Sequence, residues 1–240
     1  MCTSPLKGFK NGLTDNGKDN LIITSYSVDH IEFVDNRMIK SDTKFISPYS
    51  SKVLRNFIEI PCGKCMECRL SYSKQWANRM MLEAQDHSSS YFLTLTYDDD
   101  HVHSNEFGLL TLYKKDIQDF FKRLRRRIEP DTIRFFACGE YGEHTFRPHY
   151  HAIVFGLTLD DLEPFGFSSG YPVYTSEFIS SIWKNGHVLV SSVSWDTCAY
   201  TARYVVKKAN HYTNDYFHSM HVDPEFCLMS RRPWHRKKLF

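Results

Sequence analysis

Between residues 91 and 195 the hydrophobic pattern switches repeatedly between a period of two and a helical period, which narrows the choice of fold more than any other feature. Tyr91 to Tyr97 alternate strictly, with Leu93, Leu95 and Tyr97 on one face and Phe92, Thr94 and Thr96 on the other, so a strand is predicted. Ile117, Phe120, Phe121, Leu124 and Ile128 then recur at helical spacing, with Thr111 as the expected N-cap and Pro130 as the stop. Ile133 to Cys138 read as a second strand entering a turn at Gly139-Glu140-Tyr141-Gly142-Glu143. A third strand, Arg147-Pro148-His149-Tyr150-His151-Ala152-Ile153-Val154-Phe155-Gly156, is bounded by Pro and Gly. Residues 156–172 are rich in Gly and Pro and are expected to be a loop. Ser176 to Lys184 form a predicted short helix, Asn185-Gly186 turns the chain, and His187 to Val193 form the fourth strand. Asp196 or Thr197 is the expected cap of a last helix reaching about Asn210.

Strand, helix, strand, strand, helix, strand is the order of the split βαβ, ferredoxin-like plan. The expectation is an α+β domain: a four-to-five-stranded antiparallel sheet, helices on one face, and a further helix after the last strand. In that topology the first and third strands are central neighbours, so His149 and His151 are expected mid-sheet on the open face. The flanks are less informative. Residues 1–60 contain a turn signal at Asn16-Gly17 and a short apolar run at Leu21 to Thr24, and read as an irregular N-terminal extension. Residues 61–90 hold a cysteine segment and a predicted helix from Arg69 to about Asp86, and residues 211–240 form a basic tail.

Charge separates partner classes. The formal net charge is only +2, yet Lys and Arg cluster at 114–127, 203–208 and 231–238, which favours one polyanion-binding face over general stickiness. There is no apolar run of about 18 residues and no secretory leader pattern, so a membrane partner is not expected. Seven cysteines, three of them in Cys62-Gly63-Lys64-Cys65-Met66-Glu67-Cys68, do not resemble a secreted disulfide framework, and a reducing cytoplasm is expected. Cys62, Cys65 and Cys68 could give three thiolates to a structural Zn²⁺, with Cys138, Cys198, Cys227 or a histidine as fourth ligand.

The candidate chemistry lies on two elements. His149 and His151 are separated by about 7 Å at Cα on one strand face, close enough for both to reach one metal ion. Tyr200 and Tyr204 lie one turn apart on the last helix, beside Arg203, Lys207 and Lys208, while Cys198, Ala202, Val205 and Val206 form a separate packing stripe. Adjacent cations lower a phenol's pKa, which suits a nucleophile attacking a phosphate polarised by a metal. Lys122, Arg123, Arg125, Arg126 and Arg127 exceed the acids available to pair with them, so phosphate contact is expected there.

His149-Tyr150-His151, the strand Phe92 to Thr96, and Tyr200-x-x-x-Tyr204 with Lys207 and Lys208 resemble the three motifs of the HUH rolling-circle replication initiators. In Pro61-Cys62-Gly63-Lys64-Cys65-x-x-Cys68, Gly139-Glu140-Tyr141-Gly142 and Arg147-Pro148-His149 the chain is similar to those of small single-stranded DNA phages, the microviruses of gokushovirus type. The resemblance spans about residues 61–233 and implies an HUH endonuclease domain at 91–210. It implies a nick in viral origin DNA, single-stranded or supercoiled, with Tyr200 or Tyr204 joined to the 5′-phosphate and the freed 3′-OH priming rolling-circle synthesis. It further implies Mg²⁺ or Mn²⁺ on His149, His151 and an acidic third ligand. Glu140 is expected in that role from the family's pattern, with Glu143 as the alternative that turn geometry would decide. Lys207 and Lys208 would steady the tyrosine or the charge developing on phosphorus, and Arg147, Lys122, Arg123, Arg126 and Arg203 are the expected DNA contacts. No GxxxxGK[ST] phosphate loop occurs, so a host helicase would unwind the DNA for a host polymerase in the bacterial cytoplasm, with no small-molecule cofactor. From Trp234 onward the tail departs from the family pattern.

Three other readings stay open at this level. One is a plasmid initiator or tyrosine transposase of the same superfamily. Another is a noncatalytic single-stranded nucleic-acid-binding module of ferredoxin-like plan, for which Tyr150 and Phe155 would be the stacking aromatics. The third is a zinc hydrolase using water, in which the tyrosines are incidental.

Overall fold

The computed structural model describes residues 2–128, 133–168, 170–207 and 211–230. Its chain divides into two units, Met1–Ser71 and Tyr72–Phe240. In the first, the irregular segment expected at 1–60 is instead built from six strands. They are β1 (Leu6–Leu13), β2 (Asp19–Ser25), β3 (His30–Val34), β4 (Arg37–Ser41), β5 (Lys52–Leu54) and β6 (Phe57–Ile60). They form two three-stranded antiparallel sheets, β2-β1-β6 and β4-β3-β5. Asn16-Gly17 does turn β1 into β2, with Gly17 at φ +71° and the Thr14 N–H bonded to the Lys18 carbonyl. The buried apolar set is small: Phe9, Val28, Ile31 and Leu54, with Ile22 and Phe33 packed against them. Short strands with so few buried positions leave little alternation to read.

Helix α1 (Met66–Gln85) leads toward the second unit, which contains β7 (Ser90–Thr96), α2 (Lys114–Arg127), β8 (Arg134–Tyr141), β9 (Pro148–Phe155), β10 (Leu162–Ser168) and β11 (Tyr171–Ser176). α3 (Glu177–Trp183), β12 (Val188–Ser192), α4 (Trp195–Lys207), α5 (His211–Ser219) and β13 (Phe226–Met229) complete it. Seven strands form one antiparallel sheet in the order β10-β11-β12-β7-β9-β8-β13. The four strands expected from the sequence are its centre, and β7 and β9, the first and third of them, are neighbours. The edges are additions. The Gly- and Pro-rich segment expected as a loop is the hairpin β10–β11, irregular between Pro164 and Gly166, and an edge strand tolerates both residues. On the other edge β13 pairs with β8. Residues 129–132, including the stop expected at Pro130, and the basic stretch 231–240 lie outside the described residues.

Helices cover both faces of this sheet, not one. On the first face Ile117, Phe120, Phe121 and Leu124 of α2 and Ile179, Ile182 and Trp183 of α3 pack on Leu93, Leu95, Tyr97, Tyr150, Ala152 and Val154. On the second, Ala77 and Met80 of α1 and Cys198 and Ala202 of α4 pack on Phe136, Ile153 and Phe155. Fully burying such a side chain contributes about 1.5–3 kcal/mol, so three large apolar groups on the histidine-bearing face demand cover. Helix starts also differ from expectation. Thr111 accepts a hydrogen bond from the Asp223 N–H, and α2 begins after Tyr113 without a side-chain cap. For α4, Ser194 and Thr197 exchange reciprocal side chain–backbone bonds of 3.2 and 2.9 Å, the capping-box geometry.

Gly186 sits at φ +144°, and a Cβ there would lie 2.3 Å from the Asp98 nitrogen and 2.5 Å from the Thr96 oxygen. Gly186→Ala is expected to cost about 3 kcal/mol or more, from strain together with a backbone clash. Gly108→Ala, at φ +75° with open space around it, should cost only about 1–2 kcal/mol. Equal losses for the two in chemical denaturation would overturn the close-approach argument.

Candidate active site

Strand register builds the site. β8 runs on through Gly139, Glu140 and Tyr141, so these are not the turn expected there. The turn comes later, closed by Gly142 N–H to the Arg147 carbonyl at 3.0 Å and Phe146 N–H to the Gly142 carbonyl at 3.0 Å. Glu140 lies directly opposite His149 across the β8–β9 ladder, and directly opposed residues share a face. His151 follows two residues along the same face. Glu143 is exposed in the turn, outside this group.

Three donors converge on one carboxylate oxygen. His149 Nε2 lies 2.7 Å and His151 Nε2 2.8 Å from Glu140 Oε1, and the Tyr200 hydroxyl donates to the same atom at 2.7 Å. The far side of each imidazole is held as well. His149 Nδ1 donates to the Arg147 carbonyl at 3.1 Å, and His151 Nδ1 meets Thr94 Oγ1 at 3.0 Å. Phe92 stacks on His151, 10° from parallel with centroids 5.2 Å apart. Such outer partners fix ring orientation and leave Nε2 directed at the shared point. Thr94 and Phe92 were legible as face-mates on the strand, but nothing in the sequence marked them as supports for His151.

Burial opposes ionisation of Glu140, yet hydrogen bonds from His149, His151 and Tyr200 outweigh it and hold the carboxyl down at about 2. Burial also opposes the charged form of His149, but the Glu140 bond prevails and its pKa is raised. His151 is more deeply enclosed, and burial drives it down. The Tyr200 phenol is pushed up, first by burial and then by the Glu140 carboxylate, against the expectation of an acidified phenol. A carboxylate that ionises so readily is a poor acceptor for a phenol proton, so Glu140 orients the hydroxyl.

Tyr204 stands behind Tyr200, its hydroxyl donating to the Tyr200 oxygen at 3.3 Å and its ring 5.8 Å away. Arg203 places its guanidinium 5.8 Å from the Tyr200 ring centroid. The Lys207 side chain and Lys208 lie outside the described residues, as do 209 and 210 at the expected helix end. A cavity of about 560 Å³ adjoins the cluster, lined among others by Phe92, His151, Tyr171, Trp195, Tyr200 and Arg203. The other expected DNA contacts are elsewhere. Arg147 donates to the Tyr97 carbonyl at 3.0 Å and pairs with Asp99 at 2.8 Å. Arg123 binds the Ile182 and Trp183 carbonyls at the end of α3, and Lys122 pairs with Asp119. Arg126 is exposed, but α2 packs on the sheet face opposite the histidines.

Among the described residues two groups bring three or more candidate metal ligands together: Glu140, His149 and His151, and Cys2, Cys62, Cys65 and Cys68. The second adds a residue that spacing did not select. Cys138 and Cys198 are buried in the second unit, away from any such group, and Cys227 belongs to none. No helix among the described residues is long and apolar enough to cross a membrane.

Comparison with known proteins agrees with the site. The chain is 36% identical over 188 residues to the replication-associated protein VP4 of Bdellovibrio phage phiMH2K, covering 75% of this chain and 58% of that protein. It is 36% identical over 185 residues to the replication-associated protein ORF2 of Spiroplasma virus 4, covering 74% and 57%. Against the replication-associated protein ORF4 of Chlamydia phage 1 it is 37% identical over 158 residues, covering 62% and 38%. The chain thus spans less than two thirds of the length of each. No solved structure matches it. The model of one family matches residues 90–209, half of the chain, and takes in β7, Glu140, both histidines and both tyrosines, so the chain belongs to the replication-associated protein ORF2 family.

Proposed function

We propose that this chain is an HUH-type initiator of rolling-circle replication that cuts and rejoins viral origin DNA through a phosphotyrosine link. The observation that carries the proposal is the convergence of two imidazoles and a tyrosine hydroxyl on one oxygen of Glu140, each within 2.8 Å. The central strand order β12-β7-β9-β8 supports a ferredoxin-like HUH arrangement, extended at both edges. Glu140, His149 and His151 would hold Mg²⁺ or Mn²⁺, and two nitrogens with one carboxylate suit either ion, Mn²⁺ the better. When bound, the cation polarises the scissile phosphate and stabilises negative charge in the transition state.

In the reaction the Tyr200 oxygen attacks phosphorus. A Tyr–O–P bond forms, the bond from phosphorus to the 3′-oxygen breaks, and that oxygen leaves as a 3′-OH after taking a proton. The phenol proton is released. One phosphodiester replaces another, so rejoining by the reverse attack needs no nucleotide triphosphate. Glu140 orients the hydroxyl, Arg203 offers positive charge near the tyrosine, and Lys207 and Lys208 fit the same role. Tyr204 would serve the second transfer. Viral origin DNA, a host helicase and polymerase, and action in the host cytoplasm belong to this reading.

Less supports a stacking-only binding module. Tyr150 and Phe155, its required aromatics, are both fully buried. The test is a labelled single-stranded origin oligonucleotide incubated with the chain and Mn²⁺ or EDTA. A protein–DNA adduct that resists SDS, requires the cation and disappears in His149→Ala/His151→Ala supports the proposal. Cleavage without an adduct refutes it in favour of hydrolysis.

The aromatic cavity beside Tyr200 fits a nucleotide flanking the scissile phosphate. Trp195 is 45% exposed on its wall, with Nε1 bonded to Asn78 Oδ1 at 3.1 Å. Base–aromatic stacking contributes about 1–3 kcal/mol, so Trp195→Ala should weaken oligonucleotide binding by about tenfold or more in fluorescence anisotropy. Unchanged affinity would remove the base from this cavity.

A further inference from the structure

We infer that Cys2 completes a four-thiolate zinc site with Cys62, Cys65 and Cys68, fastening the first residues of the chain to the segment that leads into α1. The four sulfurs lie within 4.8 Å of one another, and Cys2 and Cys65 Sγ are 3.8 Å apart. Zn–S bonds of about 2.3 Å in a tetrahedron give sulfur–sulfur edges of about 3.8 Å. A disulfide would require about 2.05 Å, and all four cysteines are free. A multi-iron cluster would need more room between its ligands than this spread leaves.

The sheet explains why a residue so remote in sequence is the fourth ligand. β1 and β6 pair antiparallel with Leu6 opposite Ile60 and Lys7 opposite Glu59. Extending that register beyond the strand ends brings Cys2 level with the segment between Cys62 and Cys65. Gly63, at φ +72°, bends this segment back on itself. The Cys62 N–H donates to Cys2 Sγ and the Cys65 N–H to Cys62 Sγ, both at 3.3 Å, which balances charge on the sulfurs. Cys65 also opens the helix that carries Cys68, its carbonyl accepting the Arg69 N–H at 3.0 Å. The apolar cluster of Met1–Ser71 is small, and units with little core draw folding energy from a structural metal.

The test uses the full chain carrying His149→Ala/His151→Ala, so that zinc at the other ligand group does not contribute. One zinc per chain is expected by elemental analysis. Replacement by Co²⁺ should give tetrahedral visible bands and strong thiolate charge transfer. Cys2→Ser should lose zinc to a chelator at least tenfold faster, while Cys227→Ala should not. Cys2→His, which keeps a ligand, should retain the metal with weaker charge transfer. Should Cys2→Ser fail to fold, alkylation of the parent chain decides: zinc must shield Cys2, Cys62, Cys65 and Cys68 until chelator is added. Absence of bound zinc, indifference to Cys2→Ser, or free alkylation of Cys2 in the loaded chain each overturns the inference.

Discussion

Tyr200→Phe is expected to lower formation of the covalent protein–DNA adduct by at least about a thousandfold, the scale on which removal of a nucleophile acts. The position of Tyr200 distinguishes it from Tyr204. Its hydroxyl is bonded to Glu140 and its ring meets His151 edge-on with centroids 5.1 Å apart, whereas Tyr204 reaches the cluster only through Tyr200. Tyr204→Phe should therefore leave the first adduct within about tenfold of the parent while blocking the second transfer that releases a closed circle. The fold should survive either change. Phenylalanine keeps the ring, and Glu140 retains both histidine partners, so the loss in stability should stay near the 0.5–1.5 kcal/mol of one hydrogen bond. A single-turnover assay with a labelled oligonucleotide separates the steps. If Tyr204→Phe proves the inactive variant and Tyr200→Phe the active one, the order of the two tyrosines is reversed. If the double variant still forms the adduct, the nucleophile is another residue.

The central strands were legible because burial on opposite faces imprints a period of two. Phe92 to Tyr97 and His149 to Phe155 alternate as the structure has them, one set on α2 and α3 and the other toward the histidine cluster. The segment at Gly139 misled for a physical reason. That glycine is a packing residue: a Cβ there would lie 2.9 Å from the Phe226 ring and 3.0 Å from Leu112. β13 can cover β8 only over a missing side chain, and a glycine required by a neighbour 87 positions along the chain looks, locally, like a turn signal. Glu140 was consequently reached through a family resemblance, although cross-strand register is what positions it. Charge was legible only as a total. Nothing local distinguishes Arg123, whose donors close α3, or Arg147, held by Tyr97 and Asp99, from a guanidinium available to DNA. Cys2 was out of reach because only the β1–β6 pairing brings it to Cys62. Edge strands such as β10 carry Gly and Pro because they have one neighbour to satisfy, and composition there resembles a loop.

Glu140→Gln is expected to weaken Mn²⁺ binding at least about a hundredfold, the upper end of what losing even an outer-shell partner costs a metal site. Glu140 is the one anion in its ligand group, and the amide keeps its size while removing the charge. The pH dependence carries a second signature. Glu140, held at about 2, is ionised across the working range and does not compete for protons. His149 does compete, because its pKa is raised and the cation must displace its proton. Affinity in the parent chain should fall about tenfold per pH unit below the pKa of His149, and this decline should begin above the ordinary histidine value of about 6.5. Glu140→Gln removes the bond that raises His149 and leaves burial, which lowers it. The decline should then begin at lower pH even as overall affinity drops, a combination that simple unfolding does not produce. Titration calorimetry across pH reads both effects, with Glu143→Gln as control because Glu143 is exposed in the turn beyond β8. Should Glu143→Gln lose the metal while Glu140→Gln keeps it, the third ligand is Glu143, and the Glu140 contacts serve only to order the histidines.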